Sequence, residues 1–307
     1  ETLLKPPAEL KNPGIKYLAS TRLGACQSPE SLQRLLAAGA NDSDDLYERI
    51  TRRKALEALG RRKDRSALPI LLAALQADDE PTVVNAADAI ARLSTPLDKE
   101  EQTALLQALQ GPDNQRRAVL QAFCRLGMND ASGQIDHCRN DSNPLVAGAA
   151  HAYAVRVLGD QQGLHPLVEQ LRGDNPGRRR AAVIDLGDAG RIEALAALIR
   201  CPVSMPLRAK SAFQMATSQA GAVDPDATDL LKELLQDDPR QLNLDGIPET
   251  AADPEAIKEG LQHRDEARQY AAAKALMAMP RAAQLDQIDA LHSSLGSDYG
   301  VHYLLAS

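Results

Sequence analysis

A unit of about thirty residues recurs along the chain, and no other feature of the sequence restricts the possible folds as much. Each copy reads as a short apolar helix, a turn rich in Asp, Asn and Pro, and a second helix of the form R-x-A-x-x-A-L-G. Aligned on the residue that closes each second helix, the copies fall at Gly60, Ala91, Cys124, Arg156, Gly187, Ala216 and Met277. Successive gaps are 31, 33, 32, 31, 29 and 61 residues. The last is close to two repeats, and a degenerate unit around Gln241 to Thr250 is expected to fill it. First helices are expected at 68–75, 105–109, 164–171, 192–199 and 230–235, each with apolar residues at i, i+3 and i+4, the stripe of a half-buried helix. Between the helices lie Asp79-Glu80-Pro81, Gly111-Pro112-Asp113-Asn114, Asn143-Pro144, Asp174-Asn175-Pro176 and Asp237-Asp238-Pro239. Asp and Asn cap the helix that follows, and Pro presets its first turn while keeping the residue before it out of the helical region.

One such hairpin cannot bury its own apolar face, so neighbours must stack into a shared core with a curved surface. The expected fold is all-α, an α-solenoid of HEAT-like helical hairpins. Residues 1–45, interrupted by Lys5-Pro6-Pro7 and Asn12-Pro13-Gly14, read as an N-terminal capping region. Residues 46–219 read as regular repeats, and 220–307 as a degenerate repeat and C-terminal cap of the same solenoid.

Composition agrees and narrows the function. Aromatic residues make up 3% of the 307, there is no Trp, and Leu and Ala dominate, the economy of packed helices rather than of barrels. The net charge of −7 would repel nucleic acid and anionic membranes at long range, so neither is an expected partner. Cys26, Cys124, Cys138 and Cys201 form no C-x-x-C pair and have no His at zinc-finger spacing, which argues against a metal site and for a reducing, cytoplasmic setting. No apolar run approaches the ~18 residues of a membrane span, and the first residues lack the order of a secretory signal. Nucleophile-elbow, zincin, phosphate-loop and dinucleotide motifs are all missing. What remains is a surface.

In HEAT-like stacks the second helices line the concave side, so equivalent positions form columns across a groove. One column reads Glu57, Asp88, Gln121, Tyr153 and Ile184; another, a turn earlier, reads Arg53, Val84, Arg117, Ala149 and Arg180, with Lys54 and Asn85 beside it. Each basic position has two readings, a tie to the next repeat or a ligand contact. Glu57 and Asp88 are either solvated or ligand-facing. His151 aligns with Ala55, which favours packing between helices, whereas Tyr153 offers an apolar plate and a proton donor. Tyr47 with Arg49, Arg52 and Arg53 is the densest polar group. Three guanidiniums within five residues call for an acid among them, from a neighbouring repeat or from a ligand.

The segment from Leu46 to Gly60 (LYERITRRKALEALG), followed by Val83 to Leu93 (VVNAADAIARL), resembles the N-terminal repeats of the E/F-type phycobilin lyases, in particular the branch acting on phycoerythrin. The likeness is sharpest over about residues 44–95 and continues to about 190. It implies a HEAT-like protein of cyanobacteria or related phototrophs that binds a linear tetrapyrrole such as phycoerythrobilin. That pigment is its substrate, not a permanent cofactor. It further implies thioether attachment of the pigment to a cysteine of a phycobiliprotein, phycoerythrin α or β, with or without a second lyase subunit. Some members of the branch also isomerise phycoerythrobilin to phycourobilin, which the residues here leave open.

The residues suit such a role. Two propionates of an open-chain bilin fit Arg forks, for which Arg49, Arg52, Arg53 and Arg117 are candidates. Its pyrrole N–H groups fit the carboxylates of Glu57 and Asp88, with Asn85 and Gln121 as neighbouring amides. The acceptor supplies the nucleophilic thiol, so the protein needs only to position and to manage a proton, for which Tyr47, Tyr153, His151 and Asp88 are candidates. The alternative is a non-catalytic scaffold whose groove holds a protein segment.

Overall fold

The protein is described from a computed structural model covering residues 2–129, 132–218, 225–295 and 298–306. Among the described residues there is no strand; the protein is a succession of helices in two compact units, Glu1–Leu158 and Gly159–Ser307. The boundary expected between 219 and 220 lies outside the described residues.

In the first unit, α1 (Ile15–Leu23) and α2 (Pro29–Ala40) precede the repeats. The first and second helices then alternate: α3 (Leu46–Arg62), α4 (Leu68–Ala74), α5 (Glu80–Leu93), α6 (Lys99–Gln107), α7 (Asp113–Leu126), α8 (Ser132–Asp136) and α9 (Pro144–Tyr153). The long second helices form a row in which α1 packs on α3, α3 on α5, α5 on α7 and α7 on α9. Ala55, Leu56, Ala58, Leu59, Ala86, Ala87, Ile90, Val119, Leu120 and Phe123 are fully buried between the layers. Small residues are required where second helices meet. A Cβ on Gly60 would lie 2.6 Å from the Ala89 Cα, so the glycine that closes the first repeat lets α5 approach to backbone contact.

The turns act as their sequences require. Asp45, Asp79 and Asn143 accept hydrogen bonds from the first amides of α3, α5 and α9, and Pro follows within the first turn of α5 and α9. The turn at 111–114 differs: Pro112 occupies the cap position of α7, which therefore lacks a side-chain cap. The second helix that closes at Arg156 ends in a π-helical turn, Ala154–Leu158.

The second unit contains α10 (Leu164–Gln170), α11 (Pro176–Ala189), α12 (Leu195–Ile199), α13 (Met205–Ser218), α14 (Pro225–Gln236), α15 (Pro254–Leu261), α16 (Glu266–Met277), α17 (Arg281–Leu295) and α18 (Tyr299–Ala306). Here α11 packs on α13 and α15 on α16, while Leu242, Ile257, Leu261, Tyr270, Leu276, Leu291, Val301 and Leu304 share one core. The degenerate repeat expected around Gln241 to Thr250 is not a helical hairpin. After a short 3-10 turn, Pro239–Gln241, the backbone runs without regular helix to Asp253, turning at Gly246 with φ +77°. Asn243, Gly246, Pro248 and the following Asp/Pro pair explain this, since none of them favours a helix interior.

Candidate functional site

The second helices α3, α5 and α7 present a half-exposed polar stripe made from the columns seen in the sequence. Arg53 and Glu57 lie on α3, Asn85 and Asp88 on α5, Arg117 and Gln121 on α7, all partly buried. Between α5 and α7 the stripe opens into a cavity of about 410 Å³ lined by Glu80, Pro81, Val84, Asn85, Asn114, Arg117, Ala118 and Gln121. The structure thus brings Asn85, Arg117 and Gln121 together. The Asn85 amide donates to the Pro81 carbonyl at 2.6 Å, and a guanidinium N–H of Arg117 donates to the Leu145 carbonyl at the start of α9.

The basic group on α3 is satisfied from within. Arg49 and Arg53 both converge on Asp79, with Arg53 Nε 2.8 Å from the Asp79 Oδ2, and Asp79 also accepts from the Thr82 amide at 3.0 Å. The Arg53 hydrogen bond, with help from Thr82 and Arg49, holds the Asp79 carboxyl far below the usual carboxylate range despite partial burial. Arg52 donates to the Gly39 carbonyl at 3.2 Å, near the C-terminus of α2, and pairs with Asp42. The acid called for by three clustered guanidiniums therefore comes from neighbouring turns. Arg49, Arg52 and Arg53, the forks expected for an outside carboxylate, thus have partners within the stack.

Glu57 is bound by Lys54 at 2.9 Å and by Arg61, and the Lys54 bond leads in holding its carboxyl below the ordinary value. Asp88 accepts from Arg92 at 2.6 Å and from Arg125 of α7 at 3.0 Å, tying α5 to α7. Tyr47 sits at the exposed start of α3, 38% accessible. The α9 candidates lie elsewhere. Tyr153 is 1% exposed and its phenol donates to the Met128 carbonyl at 2.8 Å, so the expected groove phenol is a core residue. Counting back from Arg156 crosses the π-helical turn, whose extra residue puts position −3 of this repeat on a core position. His151 is half-buried on the same helix and does not line the cavity between α5 and α7.

Glu80 and Asn114 also line the cavity, unmarked in the sequence. Both occupy the first turn of a second helix, where Asp, Asn and Glu are ordinary capping or first-turn residues, so pattern alone carries no signal. One carboxylate oxygen of Glu80 is buried with no hydrogen-bond partner.

The thiols offer no built nucleophile. Cys124 and Cys201 are buried, and burial pushes the Cys201 thiol up to about 12 and raises that of Cys138. Among the described residues no group of His, Cys, Asp and Glu could hold a metal ion, and no helix is long and apolar enough to cross a membrane.

Comparison with known proteins places this geometry in a family. The HEAT repeats family matches residues 47–124, which span α3 to α7. The sequence is 26% identical over 302 residues to the uncharacterized phycocyanin operon protein Y of Pseudanabaena tenuis, covering 97% of this chain and 72% of that protein. It is 30% identical over 237 residues to the bilin biosynthesis protein RpcE of Synechococcus sp. WH8020, covering 70% of this chain and 88% of RpcE. The bilin biosynthesis protein CpeY of the same organism is 23% identical over 303 residues, 98% of this chain and 72% of CpeY. Among solved structures, the complex of CpcE and CpcF of phycocyanin lyase from Nostoc sp. PCC7120 superposes with a TM-score of 0.65 at 23% identity, covering 75% of this chain and 95% of the matched one. The chain belongs to the E/F-type phycobilin lyase family of HEAT-repeat proteins.

Proposed function

We propose that the protein binds a linear tetrapyrrole of the phycoerythrobilin type against the α3–α5–α7 stripe and directs its thioether attachment to a cysteine of phycoerythrin. The observation that carries this reading is the cavity of about 410 Å³ that Glu80 and Asn85 line together with Arg117 and Gln121 of the next second helix. A row of pyrrole N–H groups needs acceptors held in a line, and Glu80 with the side-chain amide oxygens of Asn85 and Gln121 supplies them. Val84, Pro81 and Ala118 supply an apolar wall for the rings.

Attachment by addition balances without an oxidant. The acceptor's S–H bond breaks, a C–S bond forms at one carbon of an exocyclic double bond of the pigment, and the proton passes to the conjugated system. Isomerisation to a phycourobilin-type product moves a double bond and likewise leaves the electron count unchanged. The protein's part is to hold the pigment and thiol in register, a contribution that can be large without any nucleophile of its own. With Tyr153 committed to the core, Tyr47, exposed at the start of α3, is the phenol we assign to proton transfer. A cytoplasmic setting keeps the acceptor thiol reduced, and a second lyase subunit is an expected partner alongside the phycobiliprotein.

Titration of the purified protein with phycoerythrobilin tests the reading. It predicts a shifted, sharpened visible band for the wild type and binding at least tenfold weaker for Asn85→Leu with Gln121→Leu. A protein that leaves the pigment spectrum unchanged yet retains a phycobiliprotein subunit would instead be a scaffold.

A further inference from the structure

Within the second unit, a cavity of about 490 Å³ lies between the N-terminal ends of α11 and α16 and the irregular segment before α15. Its walls include Arg180, Ile247, Pro248, His263, Arg264 and Arg268, with Asp174 and Asp265 also on the lining. The two helix ends are already joined without Arg264 and Arg268. Arg179, 1% exposed, pairs with Asp265 and donates to the Gly173 carbonyl at 2.8 Å, and Arg180 grips Glu266 through two bonds of 2.9 and 2.7 Å. Asp265 is therefore neutralised by Arg179. Arg264, just before the Asp265 cap of α16, and Arg268, in the first turn of that helix, make no ion pair among the described residues and no bond that would hold the fold. His263 Nδ1 accepts the Asp265 amide at 3.0 Å, which in the neutral ring leaves its Nε2 as a hydrogen-bond donor. Lys274 lines an adjoining cavity of about 600 Å³ that shares Gly246, Ile247 and Pro248 with the first.

The geometry points to a carboxylate-binding site in the second unit, with Arg264 and Arg268 as its anchors and the Ile247-Pro248 wall beside them, whose ligand is the propionate-bearing part of an open-chain tetrapyrrole. The identity of the ligand rests on the function proposed above; the site itself rests on the cavity and its two uncommitted guanidiniums. On α3 the guanidiniums that the sequence offered for propionates are bound to Asp79 and Asp42. Arg264 and Arg268 are not bound in this way. A planar guanidinium takes a carboxylate through two parallel bonds, and two of them lining one cavity suit two propionates on one pigment. The apolar wall distinguishes such a ligand from a small inorganic anion, which would gain nothing from Ile247 and Pro248.

Both residues are exposed, so their replacement leaves the fold intact, which circular dichroism checks. The whole protein is titrated with phycoerythrobilin and with its dimethyl ester, in wild type, in Arg264→Ala with Arg268→Ala, and in Arg264→Lys with Arg268→Lys. The site predicts that wild type prefers the free acid at least tenfold. It further predicts that the alanine pair removes this preference without weakening ester binding, and that the lysine pair restores part of it. Free-acid binding unchanged in the alanine pair overturns the site while leaving the proposed function standing. No binding of either compound by the wild type overturns both.

Discussion

Asp79 carries three duties: it caps α5, receives Arg49 and Arg53 from the preceding repeat, and bonds the Thr82 hydroxyl. Substitutions separate these duties. Asn caps a helix as well as Asp does, so Asp79→Asn removes only the charge, at a cost of about 1 kcal/mol because both guanidiniums are partly solvated. Asp79→Ala loses the cap as well, about 1 kcal/mol more, and urea denaturation at pH 7 reads both steps. The sign with pH follows from the depressed carboxyl value. The stabilisation is complete above the unfolded value near 4 and is lost as pH falls through the acid range toward the folded value, so Asp79→Asn should flatten the acid limb of the stability curve. At this scale the sequence shows which residue types cluster but not which partner each one takes. The need for acids beside Arg49, Arg52 and Arg53 was legible; that Asp79 and Asp42 meet it depends on how far apart the turns of adjacent hairpins sit.

The repeat elements were the most legible feature, because the closing residue of each second helix sits where two backbones touch and tolerates little variation in size. Gly60→Ala places a methyl group 2.6 Å from the Ala89 Cα and should cost about 1–3 kcal/mol by prising α3 from α5, read as a lower midpoint in denaturant. At the other end of α5, Ser94 adopts a left-handed φ of 53°, and Ser94→Gly should raise stability by up to about 1 kcal/mol. Two elements escaped the pattern for physical reasons. The π-helical turn between Tyr153 and Arg156 adds a residue to the count from the closing position, so the groove column lands on a core residue there, and a single inserted residue leaves no mark in composition. The stretch from Leu242 to Asp253 keeps the spacing of a repeat while lacking its helices, so a gap of 61 residues looks like two units when one of them is irregular. Just before that stretch lies a buried polar group: Arg208 and Asp237, 1% and 2% exposed, pair with each other, and the phenols of Tyr270 and Tyr303 donate to Asp237 at 2.9 and 2.6 Å. Burial, with Asp237 adding to it, drives both phenols well above their ordinary value. Arg208→Met strands the Asp237 charge and should destabilise the second unit by about 3–5 kcal/mol, whereas Arg208→Met with Asp237→Leu should recover most of the loss. Thermal unfolding followed by circular dichroism compares the two.

For the whole molecule, the proposed function asks for surfaces that hold pigment and acceptor rather than for a nucleophile of the protein's own. A net charge of −7 provides little long-range attraction for a dianionic pigment, so the proposed binding in either unit would depend on local groups, the acceptors between α5 and α7 in the first and Arg264 and Arg268 in the second. The helical class and the repeat could be read from residue order, since both rest on local periodicity, and the family from the resemblance of the segments 46–60 and 83–93 to its N-terminal repeats. The cavities could not, because each is lined by residues far apart in sequence, such as Glu80 with Gln121 or Arg180 with Arg268. The most direct test of pigment attachment is co-expression of the protein with phycoerythrobilin-synthesis enzymes and a phycoerythrin subunit, followed by absorbance and peptide mass of the purified subunit. The expected result is a bilin-mass adduct on one acceptor cysteine that depends on the protein and falls at least tenfold with Asn85→Leu and Gln121→Leu. An acceptor carrying the same adduct, at the same cysteine and yield, whether or not the protein is present would contradict a lyase role.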